Sequence, residues 1–333
     1  ACGKIALMIA SAWIDFAGRW GGYALARQYT RKHPRILMYH RFTGDTSAGT
    51  AMADVFEEQV RYLAKNFKTM TLGQLLGYFY AGERPPPHTV VMTVDDGHRD
   101  FFEFAWPILK RHNVPATFFV VTGFIDRELW LWPDQVTWLL RQCRHLPERV
   151  HVAGELLELG DNPWQAIVDR IMVVSDEKRL RAPSELGEQL GCSLPAEAPE
   201  EYAPVTWNEL RVLEANGIEI GGHTHTHPNL ARMPENRLQE EIHRCRERLD
   251  SELGMRPRPF CYPNGQPGDV TPAVRAAFED AGFNGAVVAY ADGARHGDLY
   301  QLRRHSSSSN LFQFYKASSG LEWLGRRCRR GGL

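Results

Sequence analysis

The sequence lacks a cysteine framework, a large net charge and a long hydrophobic run. Its six cysteines are scattered and form no C-x-x-C pair, which argues against a disulfide scaffold or a zinc ribbon. The formal net charge is −1 over 333 residues, so no overall field would attract a polyanion. We therefore expect no nucleic-acid partner, and nothing in the sequence predicts an oligomeric state.

Near the start of the chain, residues 5–14 are apolar apart from Ser11. A run of about ten residues is too short to span a bilayer, which needs roughly 20. Three interpretations stay open: the relic of a signal peptide, an interfacial helix with Trp13 and Trp20 at the boundary, or a helix packed on the next domain. We recognise no clear signal peptide. The sequence does not decide the compartment: the cell envelope and the cytoplasmic face of a membrane both stay open, as does peripheral membrane contact through the N-terminus.

Apolar runs and helical spacing alternate along most of the chain. Strands buried on both faces are predicted at 35–40, 90–94, 116–121, 218–220, 259–261 and 285–290. Helices are predicted at 54–66, 72–80, 100–112, 206–216, 234–252 and 271–281. This alternation indicates an α/β fold built on a parallel sheet.

Residues 126–204 interrupt the alternation and predict a mostly helical insertion over one face of the fold. Within it we expect a small hairpin at 150–159 and short helices at 163–173 and 183–191. The predicted organisation is an N-terminal helical segment at 1–33, a main domain at 34–310 and a C-terminal helix with a basic tail at 311–333.

Two adjacent carboxylates, Asp95 and Asp96, directly follow the buried run 90–94. Desolvation and mutual repulsion make such a pair costly. It persists mainly where a cation lies between the groups or where one acid works as a base. The alternative is a turn that caps the following helix, with Gly97 supplying the turn.

His223 and His227 follow another predicted strand, and the flanking Gly221, Gly222 and Pro228 exclude a long helix. With one carboxylate they would form a two-histidine, one-aspartate set that leaves coordination positions free, as catalytic zinc sites do. A histidine-rich surface turn is the alternative. Polar residues at the carboxyl ends of several strands favour the site, because in a βα barrel that rim is where active sites form.

These residue types support hydrolysis. If Asp96 binds an ion, Asp95 is free to act as general base on a water activated by that ion. The turn at 262–265 could aim the N–H of Asn264 at an oxyanion. His40, at the end of another strand, suits the acid that protonates a departing amine, although a structural histidine is the alternative there.

Residues 93–97, T-V-D-D-G, resemble the T-F-D-D-G motif of the polysaccharide deacetylases (NodB homology, carbohydrate esterase family 4). Residues 223–227, H-T-H-T-H, are similar to the family's H-[ST]-x-x-H motif, and the resemblance extends over about 35–305 outside the insertion. It implies a distorted (β/α)7 barrel and one divalent metal, with zinc as the default and cobalt or nickel as alternatives. It also implies Asp95 as base, Asp96, His223 and His227 as ligands, and Asn264 as oxyanion donor.

The chain departs from the family pattern at two places. Cys261 stands where the family has the arginine that orients the base, and Arg258, Arg303 or Arg304 would have to compensate; we choose Arg304. No clear L-x-x-H supplies the usual acid, although residues 302–305, L-R-R-H, come near. With M-Y-H-R at 38–41, both departures resemble the branch that deacetylates poly-N-acetylglucosamine exopolysaccharides, which favours His40 over His305 as the acid.

We therefore expect a metal-dependent N-deacetylase acting on an N-acetylhexosamine of a glycan, exopolysaccharide or glycolipid. Trp132 in the insertion and Tyr262 are the expected substrate-binding residues, because aromatic rings stack well on sugar faces, although packing in a core is the commoner use of tryptophan. One alternative is a catalytically decayed glycan-binding protein on the same fold, favoured by the missing motif arginine. Another is an amidohydrolase that acts on a non-polymeric C–N substrate.

Overall fold

The structure is a computed structural model that describes residues 18–42, 51–291 and 298–329, without the side chains of Arg19 and of residues 326–329. The apolar run 5–14 and the end of the basic tail lie outside the described residues. Among the described residues, no helix combines the length and the apolar character needed to cross a membrane.

A parallel sheet forms the centre of the molecule. The strands are, in chain order, β1 (Arg35–Tyr39), β2 (Lys68–Met70), β3 (Thr89–Val94), β4 (Thr117–Val120), β5 (Arg149–Val152), β6 (Glu155–Glu158), β7 (Glu219–Gly222), β8 (Arg258–Cys261), β9 (Phe283–Val288), β10 (Leu302–Arg303) and β11 (His305–Ser306). The sheet has the order β10-β9-β8-β7-β4-β3-β1-β11, with β2 also paired to β3. β5 and β6 form a separate antiparallel hairpin.

The two ends of the sheet belong to one stretch of chain. β10 pairs with β9, β11 pairs with β1, and only Arg304 separates β10 from β11. The sheet therefore curls into a nearly closed barrel in which β10 and β11 act as one split strand beside six others. This arrangement confirms the predicted (β/α)7 barrel.

β3 lies in the middle of this sheet and brings the two carboxylates to its rim. All six of its residues are buried, and it pairs with β1 on one side and with β2 and β4 on the other. A strand buried on both faces needs a continuous apolar run, which explains the sequence pattern. The Asp95 N–H donates to the Tyr39 carbonyl at 3.0 Å, so pairing continues to the first carboxylate.

Helices cover the outside of the barrel. They are α1 (Tyr23–Tyr29), α2 (Ala53–Asn66), α3 (Leu72–Tyr80), α4 (Trp106–Arg111), α5 (Thr122–Ile125), α6 (Trp132–Gln142), α7 (Pro163–Met172), α8 (Asp176–Leu190), α9 (Trp207–Ala215), α10 (Glu235–Leu253), α11 (Pro272–Asp280), α12 (Leu311–Ser319) and α13 (Leu321–Arg329). Thr71 caps α3 and Thr206 caps α9, each through a reciprocal capping box. Both predicted helix starts are confirmed.

The helix predicted at 100–112 is present and contains one irregular turn. A wide π-type turn covers Phe101–Ala105, and the Trp106 N–H donates to the carbonyl of Phe101, five residues back. Pro107 follows at the start of α4 and has no N–H to donate to the preceding turn. The predicted helix is therefore confirmed, with a π-type turn in its first half.

The insertion has a core of its own, separate from that of the barrel. The predicted hairpin is present, with Val150 opposite Leu157. The second predicted helix, 183–191, was placed too late, because α8 begins at Asp176 and runs through Pro183. α6, α7 and α8 pack around the apolar face of the hairpin, so the insertion stands on one side of the barrel as a compact layer.

Candidate active site

Asp95 and Asp96 follow β3 and point in different directions. Asp95 is buried, whereas Asp96 has a positive φ of 82° and its side chain lies nearer the surface. Gly97 continues the turn with φ 100°, and a Cβ there would lie 2.9 Å from the Ile125 side chain. The turn therefore separates two carboxylates that are neighbours in sequence, which allows them different chemical roles.

His223 and His227 lie in the turn after β7, and both face Asp96. The Nε2 atoms of His223 and His227 lie 3.4 and 3.5 Å from Asp96 Oδ1. The planes of the two imidazoles are at 70° to each other, with centroids 5.0 Å apart. The structure thus brings together the carboxylate and the two imidazoles that the sequence singles out as ligands.

The donor set fits a small divalent ion. Ligand atoms about 2.0–2.1 Å from a tetrahedral zinc ion lie roughly 3.3 Å apart, close to the observed separations from Asp96. His223 Nδ1 lies 2.7 Å from the Cys261 carbonyl and donates to it, which leaves Nε2 with a lone pair for an ion. Asp96, His223 and His227 could therefore hold a metal, and their ligand atoms all lie within 4.8 Å of one another.

The charges of these three groups are interdependent. Burial opposes ionisation of Asp96, but the hydrogen bond to His223 and the nearby imidazoles hold its pKa well below the usual value. Burial likewise acts against the charge on His223, yet Cys261 and Asp96 raise its pKa well above normal. Burial and the adjacent His223 lower the pKa of His227 to about 3. These opposed shifts follow from placing one carboxylate and two imidazoles around one buried point.

Asp95 is held by an arginine from the far end of the chain. Arg304 Nη1 and Nη2 donate to its two carboxylate oxygens at 2.6 and 2.7 Å, and the Cys261 thiol lies 3.4 Å from Oδ2. Burial would raise the pKa of Asp95, but the charge and hydrogen bonds of Arg304 outweigh burial and lower it. Of the three arginines considered, Arg304 faces the candidate base, whereas Arg258 pairs with Glu214 and Arg303 lies over the Tyr290 ring.

The two candidate acids lie in different surroundings. His40 Nε2 is 3.7 Å from Asp95 Oδ2, and its side chain is partly open to solvent. His305 is buried, and its Nδ1 lies 3.0 Å from Glu322 Oε2 on α13. The structure therefore places His40 at the site, and it places His305 against the C-terminal helix.

Asn264 adopts a left-handed conformation, with φ 61°, in the turn after β8. Its side chain donates to Asp269 at 2.8 Å. Among the described residues no acceptor is found for its backbone N–H, which is the group expected to face an oxyanion.

The expected roles of two aromatic residues need correction. Tyr262 is 2% exposed, its hydroxyl donates to the Tyr300 carbonyl, and its ring packs in the barrel core. Trp132 is 5% exposed, and its indole N–H donates to the His227 carbonyl at 3.3 Å. Neither ring has a face available for a sugar, because both are covered by neighbouring side chains.

Two contacts of the site carry no signal in the sequence. Glu241 on α10 accepts hydrogen bonds from the N–H groups of His225 and Thr226, and Arg179 of the insertion donates to the Thr226 carbonyl. Neither residue lies near a motif, so sequence spacing could not find them. His225, which lies between the two ligand positions in the sequence, is buried, and its Nδ1 lies 2.9 Å from the Thr122 hydroxyl.

Known proteins resemble this chain in sequence and in fold. A family model described as polysaccharide deacetylase matches residues 82–286. A putative polysaccharide deacetylase of Bacillus subtilis is 28% identical over 102 residues, which is 30% of this chain and 36% of the relative. A poly-β-1,6-N-acetyl-D-glucosamine N-deacetylase of Staphylococcus aureus is 36% identical over 74 residues, 22% of this chain and 25% of the relative. The matched parts span well under two thirds of either relative.

A solved deacetylase of Streptococcus pyogenes, in complex with acetate, superposes with a TM-score of 0.57 and 17% identity, covering 88% of this chain and 97% of the other. At that identity the likeness shows the fold alone. It agrees with the nearly closed barrel described above.

Proposed function

Because the chain belongs to the polysaccharide deacetylase family, we propose that it is a metal-dependent N-deacetylase that hydrolyses the N-acetyl amide of an amino sugar in a glycan. The spacing of Asp96, His223 and His227 beside the buried Asp95 is the observation that carries the proposal. A divalent ion held there, with zinc as the default and cobalt or nickel as alternatives, would act as a Lewis acid on the amide carbonyl and on water.

The remaining chemistry belongs to this chain's own side chains. Asp95, kept ionised by Arg304, accepts a proton from the water molecule whose oxygen bonds to the amide carbon. The Asn264 N–H is the donor offered to the resulting oxyanion. His40 donates a proton to the departing nitrogen as the C–N bond breaks, so the products are acetate and a free amine.

Support for the substrate class comes from the relatives. The Staphylococcus aureus relative is named for a polymer of N-acetylglucosamine. We therefore infer that oligomers or polymers of N-acetylglucosamine are the substrates of this chain, with a glycolipid as the second choice. The main argument for the decayed glycan-binding alternative is weakened, because Arg304 donates to both carboxylate oxygens of Asp95, the contact expected of the missing motif arginine. A panel of small amides would reveal an amidohydrolase of non-polymeric substrates.

Acetate release from short N-acetylglucosamine oligomers tests the activity. We expect a chelator to abolish release, zinc to restore it, and Asp95→Asn to lower kcat at least about 100-fold, since general-base catalysis contributes that much or more. Asp169→Asn is the matched control, because Asp169 is an exposed carboxylate of α7 bonded to Gln165. Acetate release that survives both the chelator and Asp95→Asn would rule out the mechanism.

We also propose that the enzyme contacts a membrane surface peripherally. Leu25 and Tyr29 on α1 are 74% and 67% exposed. Residues 1–34 contain five Lys or Arg and one acid, and residues 316–333 contain the same numbers. Since the whole chain has a net charge of −1, residues 35–315 carry −9. Basic charge beside exposed apolar side chains matches an anionic lipid surface.

Both ends of the described chain lie at the same end of the barrel. The Thr30 hydroxyl, just after α1, donates to the Ser319 carbonyl of α12 at 3.0 Å. The His88 N–H, just before β3, donates to the Arg31 carbonyl, which places this region at the amino ends of the strands. The length of β1, at about 3.3 Å per residue, separates it from His40 by roughly 15 Å. The candidate site thus faces away from the proposed lipid contact, which favours a glycan beyond the membrane over a lipid headgroup.

A further inference from the structure

The turn at residues 223–227, here called the ligand loop, carries both histidine ligands and has its N–H groups fixed by the barrel. The His225 and Thr226 N–H groups both donate to Glu241 Oε1, at 2.7 and 2.5 Å. The His227 N–H donates to the Thr224 hydroxyl at 3.0 Å. Every one of these acceptors belongs to the barrel or to the loop itself.

The carbonyls of Thr224 and His225 are also bonded to the barrel. The Thr224 carbonyl accepts from the Thr122 N–H at 3.1 Å, and the His225 carbonyl accepts from the Gly123 N–H at 2.9 Å. Thr122 and Gly123 open α5. Backbone groups of the barrel therefore hold the half of the loop nearest His223.

The next two carbonyls are bonded to the insertion. Arg179 Nη1 donates to the Thr226 carbonyl at 3.4 Å, and the Trp132 indole N–H donates to the His227 carbonyl at 3.3 Å. Arg179 is itself fixed, because its Nε and Nη2 both donate to Asp176 Oδ1. Both side chains are at least 95% buried, so they serve this backbone and not a solvent-borne ligand.

The loop needs this support because its backbone is strained. Thr224 and His227 have φ values of 68° and 58°, in the left-handed region that favours glycine. Such conformations cost about 1–3 kcal/mol each and persist where the surroundings over-determine them. Among the described residues, only side chains of the insertion donate hydrogen bonds to the carbonyls of Thr226 and His227. The strained His227 therefore lies at the end of the loop that the insertion supports.

We infer that the insertion is a structural part of the metal centre, in which Trp132 and Arg179 are positioning residues that fix the backbone of His227 and so set the affinity for the ion. This inference rests on the proposed function for the identity of the ligands. Removal of a group that hydrogen-bonds to a ligand residue, without contacting the metal itself, typically weakens metal binding about 10- to 100-fold.

Zinc affinity of the full chain, measured by competition with a chromophoric chelator, tests the inference. We expect Trp132→Phe and Arg179→Gln each to weaken zinc binding roughly tenfold or more. At saturating zinc their kcat for acetate release should return close to the wild-type value, because every ligand and the base are still present. Zinc would also stabilise a variant that is merely unstable, so the stability of each variant must be measured without metal.

Two matched variants act as controls. Trp164→Phe also removes an indole hydrogen bond inside the insertion, to the Thr137 hydroxyl at 2.9 Å, but away from the loop. Arg181→Gln removes an exposed ion pair of α8 with Glu177. Both should bind zinc as the wild type does, and thermal unfolding without metal should show that all four variants are folded.

Wild-type zinc affinity in folded Trp132→Phe and Arg179→Gln would overturn the inference, as would an equal loss in Trp164→Phe. A wild-type protein that binds zinc but releases no acetate would refute the proposed function alone, and the affinity comparison would still decide the role of the insertion. A wild-type protein that binds no divalent ion would overturn both.

Discussion

Arg304 holds the candidate base by two parallel hydrogen bonds, from a position between two strands of two residues each. A guanidinium matches the two oxygens of a carboxylate, whereas an ammonium makes a single point contact. We therefore expect Arg304→Lys to lower kcat/KM about tenfold or more. Zinc affinity should not change, since Arg304 contacts Asp95 and Cys261 and none of the proposed ligand atoms. Acetate release and chelator competition measure the two effects separately.

Arg303→Lys is the control for this substitution, because the Arg303 guanidinium lies 5.3 Å from the centre of the Tyr290 ring and not against Asp95. It should keep wild-type kinetics. If Arg304→Lys lost zinc together with activity, the arginine would be supporting the ligands, and its assignment to the base would be wrong.

The sequence alone identified site residues where a charged or polar side chain is unusual, namely at the end of a buried strand. Paired carboxylates at a strand end and histidines four apart are costly without a purpose, so their pattern pointed to one site. Tyr262 and Trp132 were misjudged because an aromatic ring is equally useful in a core and on a sugar. Contacts with residues remote in the chain decide whether a ring is buried or available to a sugar. Tyr262 bonds to the Tyr300 carbonyl, and Trp132 bonds to the His227 carbonyl.

Among the helices and strands, short sequence patterns predicted the features that depend on contacts between neighbouring residues. α3 and α9 begin within one residue of their predicted starts, because each capping box lies within four residues of sequence. β10 and β11 were not predicted, because two-residue strands have no periodicity to detect. They form because closing the barrel provides β9 and β1 as partners.

The insertion begins at a charged junction between three elements. Asp126 accepts hydrogen bonds from Arg248 on α10 and from the Trp207 indole on α9. Burial would raise the pKa of Asp126, but these bonds outweigh burial and lower it. A carboxyl with a lowered pKa stabilises the fold above its unfolded pKa of about 4, and that contribution is lost as the pH falls through the folded value.

Arg248→Gln should therefore reduce the free energy of unfolding by about 1–2 kcal/mol at neutral pH, the usual size for hydrogen bonds to a charged group. The difference from wild type should shrink as the pH falls below the unfolded pKa of about 4 and through the lowered folded pKa of Asp126. Urea unfolding at a series of pH values measures this difference.

Arg237→Gln provides the comparison, since it removes an exposed pair with Glu240 on the same helix, and such pairs contribute little. A difference between wild type and Arg248→Gln that stays constant across the pH range would show that packing on Trp207, and not the charge of Asp126, is what Arg248 contributes.

For the whole molecule, the distribution of charge says more than its sum. The net charge of −1 is the sum of two basic termini and a central region with a net charge of −9. The barrel places the described parts of both termini at the amino ends of its strands and the candidate site at the carboxyl ends. An anionic surface would attract the first end and repel the rest, so the same charges that bind the protein would also orient its site outwards.

Leu25→Glu combined with Tyr29→Glu tests this orientation. The wild type should bind vesicles of phosphatidylcholine mixed with phosphatidylglycerol, should not bind phosphatidylcholine alone, and should dissociate in about 1 M salt, where the Debye length is about 3 Å. Each of the two apolar side chains contributes roughly 1.5 kcal/mol to the free energy of membrane binding, so the double variant should bind about 100-fold more weakly.

The control is Leu180→Glu combined with Met255→Glu, which makes the same charge change at exposed apolar positions elsewhere and should bind normally. Equal binding by both double variants in sedimentation, or binding of the wild type to neutral vesicles, would contradict a lipid contact at α1.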